Sequence, residues 1–84
     1  MKQWYVYILR CCDDTLYTGS TDDVTRRVQV HNSGKGAKYT RCRTPVEVVY
    51  TETWESYSAA LKREYAIKQL TRQEKLALIE SKKE

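Results

Sequence analysis

Tyr17-Thr18-Gly19 is followed by Arg27 and, four residues later, His31, a run of residue types suited to handling a phosphodiester. A guanidinium forks onto phosphate oxygens and stabilises the charge that grows on them during attack. An imidazole titrates near neutrality, so it can move a proton or orient the group that does. A phenol supplies an exchangeable proton, although with a pKa of about 10 it is a poor base at pH 7 unless cations stabilise the phenolate. Tyr7 offers a second phenol ten residues before Tyr17, and Glu64 adds a carboxylate later in the chain.

These side chains act together only if local structure aims them at one place. Residues 4–11 are rich in aromatic and β-branched types, Asp13-Asp14 signals a turn, and Leu16 to Ser20 forms a second short run, so a β-hairpin is predicted. Because side chains alternate along a strand, Tyr7 and Tyr17 share a face only if the loop has an odd number of residues. A three-residue loop at Cys12 to Asp14 meets that condition. Thr21-Asp22-Asp23 offers capping oxygens and negative charge to a helix start, and Asn32-Ser33-Gly34 supplies its stop. In the helix between them, Val24, Arg27, Val28 and His31 fall on one stripe, which turns Arg27 and His31 inward and leaves Arg26 and Gln29 outside.

Beyond Pro45, Val46 to Thr51 reads as a third strand, and a helix is expected from Ser56 to about Leu70, with Tyr57, Ala60, Leu61, Glu64 and Ile67 on its core stripe. Thr71-Arg72-Gln73-Glu74 is a capping box, so a separate last helix should carry Leu76, Leu78 and Ile79. The order β-β-α-β-α-α describes one α+β domain spanning residues 1–84.

Glu64 is the acid in an apolar stripe, and a partly buried carboxylate is costly unless paired or bound to a cation. Its partner is either Arg27 or a neighbouring lysine, or else Glu64 is the protein ligand to one Mg²⁺ that keeps waters and takes further oxygens from a substrate phosphate. Between Gly34 and Pro45 lie Lys35, Lys38, Arg41 and Arg43 with Tyr39 and no acid. Such a loop either tracks a nucleic-acid backbone and stacks a base, with Lys35, Lys38, Tyr39 and Arg41 as the contacts, or is a solvated connection. Gly34-Lys35-Gly36 lacks the spacing of a P-loop.

Composition narrows the partners only slightly. The chain has 84 residues with a formal net charge of +4, a weak pointer to an anionic partner. Hydrophobic residues at 40% and charged residues at 31% suit a soluble globular domain rather than a disordered or membrane segment. The N-terminal run Trp4 to Leu9 reads as a strand rather than a signal peptide, and no apolar run approaches membrane-spanning length. Cys11, Cys12 and Cys42 are odd in number and lack Cys-x-x-Cys spacing, so neither a disulfide framework nor a zinc site is expected, and a cytoplasmic setting is. The oligomeric state is left open.

Together these residues resemble the GIY-YIG nuclease family, and most closely its small stand-alone bacterial members. Tyr5-Val6-Tyr7 stands where the first motif begins and Tyr17-Thr18-Gly19 at the second. The helical arginine matches Arg27, the histidine one turn later His31, and the metal-binding glutamate Glu64. The stretch from His31 to Thr40 is also similar, and the likeness runs from about Tyr5 to Leu70. Two departures stand out: Tyr5 replaces the glycine that names the first motif, and no asparagine follows Glu64, where some members place one.

The resemblance implies a three-stranded antiparallel β-sheet flanked by helices and a DNA endonuclease that hydrolyses phosphodiesters with a single Mg²⁺ or Mn²⁺ ion, structure-specific in DNA repair or recombination. The expected mechanism is in-line attack by water, with Tyr17 or Tyr7 taking its proton, His31 assisting, Arg27 stabilising charge and Glu64 holding the metal. Two other readings remain: a non-catalytic nucleic-acid-binding module with the same fold, and an interaction domain serving a nuclease elsewhere. For a catalytic site, Tyr7, Tyr17, Arg27, His31 and Glu64 should converge on one concave surface.

Overall fold

The computed structural model describes residues 3–82. Its elements follow the predicted order: β1 (Trp4–Arg10), β2 (Leu16–Thr21), α1 (Val24–Asn32), β3 (Glu47–Trp54), α2 (Tyr57–Lys68) and α3 (Arg72–Ser81). The strands form a three-stranded antiparallel sheet in the order β2-β1-β3. β1 is central because Val6, Tyr7, Ile8 and Leu9 are all buried in succession, so both of its faces are covered.

The hairpin loop has the three residues that the register requires. Arg10 pairs with Leu16, the Cys11 amide donates to the Thr15 carbonyl at 2.8 Å, and Cys12 to Asp14 make the turn. Asp14 adopts φ 67°, the left-handed conformation that closes a three-residue loop, and the Asp13 carboxylate accepts from the Thr15 hydroxyl at 2.6 Å. Leu9 then faces Tyr17 and Tyr7 faces Gly19, which sets both tyrosines on one side of the sheet. Tyr5, at the first-motif glycine position, lies in a regular ladder opposite Thr21 and Thr53. The irregularity in β1 comes later, between Ile8 and Leu9, where the partners jump from Tyr50 to Val48 and leave Val49 as a bulge.

The alternation divides the core in two. On one face Tyr7, Leu9, Cys11 and Val46 pack with Tyr17 and with Val28 of α1. On the other, Val6, Ile8 and Tyr50 pack against Ala60 and Ile67 of α2 and Ile79 of α3. The predicted α1 stripe is the inward one: His31 is fully buried, Val24, Arg27 and Val28 are half-buried, and Arg26 and Gln29 are exposed. The capping box of α3 forms in both directions, with Thr71 and Glu74 bonding each other's backbone amides.

Three expectations change. β3 runs on to Trp54 because Trp4 and Trp54 pair across the ladder, and α2 ends at Lys68 rather than Leu70. The core stripe of α2 is also narrower than expected. Ala60 and Ile67 are fully buried, but Tyr57 is 51% and Leu61 40% exposed, since α3 supplies Ile79 and Leu78 to the core beside α2.

Candidate active site

The register of the hairpin carries the two phenols into one neighbourhood, with the Tyr7 and Tyr17 rings 6.5 Å apart. The end of the Tyr7 ring lies over the backbone of β2: a Cβ at Gly19 would stand 2.6 Å from the Tyr7 hydroxyl and 2.8 Å from Cζ. Glycine is required there by close approach, because any side chain would occupy the place of the phenol.

Helix α1 delivers the imidazole. Asp23 caps it by accepting from the Arg26 amide at 3.1 Å, and the stripe then turns His31 into the core. Nε2 of His31 lies 3.1 Å from the Tyr7 hydroxyl, and Nδ1 lies 2.7 Å from the Thr40 hydroxyl. Thr40 in turn donates to the Ala37 carbonyl at 3.0 Å. A hydroxyl has a single proton to give, so Thr40 can only accept from His31. Nδ1 therefore carries the imidazole proton, and Nε2 accepts from Tyr7. The result is a directed chain from the Tyr7 phenol through His31 and Thr40 to the Ala37 carbonyl. The loop that bears Thr40 is closed onto the ring at Gly36, where a Cβ would stand 2.8 Å from the His31 Cα.

Electrostatics sharpen the roles. Burial pushes the Tyr7 phenol up to about 12, against the opposing pull of the Arg27 guanidinium, and the neighbouring Tyr17 and Glu64 add to the rise. His31 is shifted the other way: burial first, then the positive charge of Arg27, hold its pKa below the ordinary value. At neutral pH the pair is thus a protonated phenol against a neutral imidazole. Arg27 is the cation whose field reaches both.

Glu64 approaches from the other side. The Ser20 hydroxyl, one residue beyond Gly19, donates to Oε1 at 2.5 Å, and Lys68 one helical turn on pairs with Oε2 at 2.7 Å. Of the two pairings considered for this carboxylate, the lysine is the one present. The structure brings Tyr7, Tyr17, Arg27 and His31 together on the α1 side of the sheet. It sets Glu64 at the edge strand β2 from the α2 side, so the five do not share one face as expected, although the charge of Glu64 is felt at Tyr7.

The carboxylate suits a hard cation. Among the described residues no three His, Cys, Asp or Glu side chains gather to hold an ion, so an ion at Glu64 would draw most of its ligands from water and substrate, as Mg²⁺ or Mn²⁺ can. The Lys68 ammonium already shows a positive charge seated against Oε2.

The basic loop divides into two kinds of residue. Lys35, Lys38 and Arg41 are exposed and form no ion pair among the described residues. Tyr39 is 40% exposed but held by neighbours, stacked on Tyr17 with centroids 5.8 Å apart and with the Arg43 guanidinium over its ring at 4.3 Å. Arg43 is a clip rather than a free cation, bonded to Asp13 at 3.0 Å and to the Tyr39 carbonyl at 2.8 Å. Thr40, Gly36 and Ser20 escaped the sequence reading of the site. The signal available for Thr40 and Gly36 was their place in the stretch after His31; nothing in that stretch told which of them would reach the ring.

Comparison with known proteins bears on the family and the fold. The model of the GIY-YIG catalytic domain matches residues 3–77. A UPF0213 protein of Staphylococcus epidermidis is 58% identical over 80 residues, covering 95% of this chain and 98% of its own. A UPF0213 protein of Staphylococcus aureus is 55% identical over 82 residues, covering 98% and 100%. The solution NMR structure of a UPF0213 protein from Bacillus halodurans has a TM-score of 0.62 at 49% identity, covering 95% of this chain and 85% of that one. That of a protein from E. faecalis has a TM-score of 0.65 at 43% identity, covering 96% and 86%.

Proposed function

The chain belongs to the GIY-YIG family, and from that premise we propose that it is an endonuclease that hydrolyses DNA phosphodiesters. The observation that carries this reading is the directed chain Tyr7–His31–Thr40–Ala37 with Arg27 beside the phenol. A structural histidine needs partners, but it does not need a phenol whose only acceptor among the described residues is a neutral imidazole.

The chain supports the following roles. Water attacks phosphorus in line with the leaving 3′ oxygen. As its O–H bond breaks, the proton passes to the Tyr7 oxygen while the Tyr7 proton passes to Nε2 of His31, so the phenol never carries full negative charge in a site that disfavours it. The imidazolium so formed keeps its Nδ1–H on Thr40. Arg27 offsets the charge that builds on the phosphate. A divalent ion held by Glu64 would supply Lewis-acid stabilisation of the phosphate and the leaving oxygen. Tyr17, edge-on to His31 with centroids 5.3 Å apart, walls the imidazole and positions it. Lys35, Lys38 and Arg41 are the cations free to meet the DNA backbone, and branched DNA of repair or recombination is the proposed substrate class.

A second reading, a nucleic-acid-binding module without useful activity, is favoured by one observation: Ser20 and Lys68 already satisfy both oxygens of Glu64. Cleavage of a branched or flapped DNA in Mg²⁺ and in Mn²⁺ separates the two. Wild type should cut and Glu64→Ala should fall to background; equal residual cleavage by both would overturn the nuclease reading.

A further inference from the structure

The outward face of α2 carries large side chains that the core does not use. Tyr57, Leu61 and Tyr65 follow one another at four-residue spacing and are 51%, 40% and 69% exposed. Tyr57 is steadied by Trp4, with ring centroids 4.5 Å apart, while Tyr65 has no aromatic partner among the described residues. The other exposed positions within the helix are Ser58, Lys62, Ala66 and Lys68, with no acid among them; exposed Glu55 lies before its start. The acid of this helix, Glu64, is turned toward the β2 edge and tied to Ser20 and Lys68.

We propose that this face of α2 binds an unpaired DNA strand, with bases stacking on Tyr65 and Tyr57 and phosphates met by Lys62 and Lys68, and leads that strand to Glu64. The proposal deepens the nuclease reading and rests on it for the direction of the strand. Aromatic rings interleaved with lysines fit single-stranded nucleic acid, because every base has a face to stack and every nucleotide a charge to neutralise. Tyr57 and Tyr65 are separated by about 12 Å along the helix, enough for a few nucleotides. Placement also matters: Leu61 and Lys68 stand three and four residues from Glu64, neighbours on the same helix surface, so a strand lying on the stripe passes the candidate metal ligand. A second copy of the chain is a poorer occupant. A two-fold pairing of this face would set Lys62 against the same lysine with no exposed carboxylate on α2 to answer it.

The test is fluorescence anisotropy of a labelled oligothymidylate, with a blunt duplex as comparison, in EDTA so that cleavage plays no part. Wild type should prefer the single strand. Tyr65→Ala and Tyr57→Ala should each weaken its binding by about 5- to 150-fold, Tyr65→Phe should retain it, and Lys62→Ala should lower the salt dependence by about one counterion. Unchanged far-UV circular dichroism will show that the exposed substitutions leave the fold intact. Wild-type affinity in both alanine variants overturns the proposal. So does a dimer in sedimentation that Tyr65→Ala dissociates, which would assign the face to a second copy. Because binding is read without metal, an inactive wild type would sink the nuclease reading and leave this result standing.

Discussion

The Tyr7 hydroxyl and Nε2 of His31 stand 3.1 Å apart, although the residues are 24 positions apart in sequence and come from different elements. Neither partner ionises easily where it lies: burial raises the phenol to about 12 and lowers the imidazole. Their hydrogen bond is therefore between neutral groups, directed by the Thr40 contact on the far side of the ring.

Thr40→Val tests that direction. The substitution keeps the volume but leaves the buried Nδ1–H of His31 without an acceptor, which should cost about 1–3 kcal/mol of stability. It should also free the imidazole to place its proton on Nε2, where it can no longer accept from Tyr7. Nitrogen-15 NMR of the single histidine should report a change of tautomer, together with slower cleavage. An unchanged tautomer would show that Thr40 is not the group that orients the ring.

The same histidine sets a pH window. With its folded pKa below the ordinary 6.5, His31 stays neutral in the folded protein while the unfolded chain takes up a proton. Stability is then complete above pH 6.5 and declines as pH falls below that value, until the folded pKa is passed. Urea unfolding over this range should show the decline, and His31→Gln should remove it. As this is the only histidine, no second imidazole can produce the window. Activity should fall with acid in the same direction, because protonated Nε2 cannot accept from Tyr7.

Glu52 should matter to stability at lower pH. Burial works against its charge, but donors from Arg63, Tyr50 and Trp54 more than offset it and hold the carboxyl below its ordinary value. Its contribution should be present above pH 4.5 and lost as pH falls through the depressed value. Arg63→Ala leaves a carboxylate that is 14% exposed without its cation, while the arginine itself is 34% exposed, so solvent screens part of the pair. The expected loss is about 1–2 kcal/mol, read as a lower denaturation midpoint near neutral pH that converges on wild type in acid.

How much of this was legible in the sequence depends on whether it rested on local pattern or on chain return. The Tyr7 and Tyr17 face follows from an odd loop, and the inward turn of Arg27 and His31 from a helical stripe, because both obey short periods. The α3 capping box was readable for the same reason. Thr40 and Gly36 were not, since a polar, basic loop has no period to say which residue meets the ring. Tyr57 and Leu61 misled because the pattern of α2 is amphipathic over a wide arc. The space they would have filled goes to Ile79 and Leu78 of α3, a choice made between helices and not within one.

Gly19→Ala probes the seam between the two motifs. The new methyl carbon would lie 2.6 Å from the Tyr7 hydroxyl, and Tyr7 is 1% exposed, so the ring has little room to withdraw. Overpacking of this kind costs about 1–3 kcal/mol, and a domain of this size loses roughly 4–8 °C of melting temperature per kcal/mol. Moving the hydroxyl off Nε2 should reduce cleavage in addition, whereas oligothymidylate binding in EDTA should persist because Tyr57 and Tyr65 lie on the outward face of α2. A double-mutant cycle isolates the contact. Tyr7→Phe removes the atom in closest conflict, so Gly19→Ala should be less destabilising in that background, with a coupling of about 0.5–3 kcal/mol. Additive losses would mean that the alanine acts through the β2 backbone and not through the phenol.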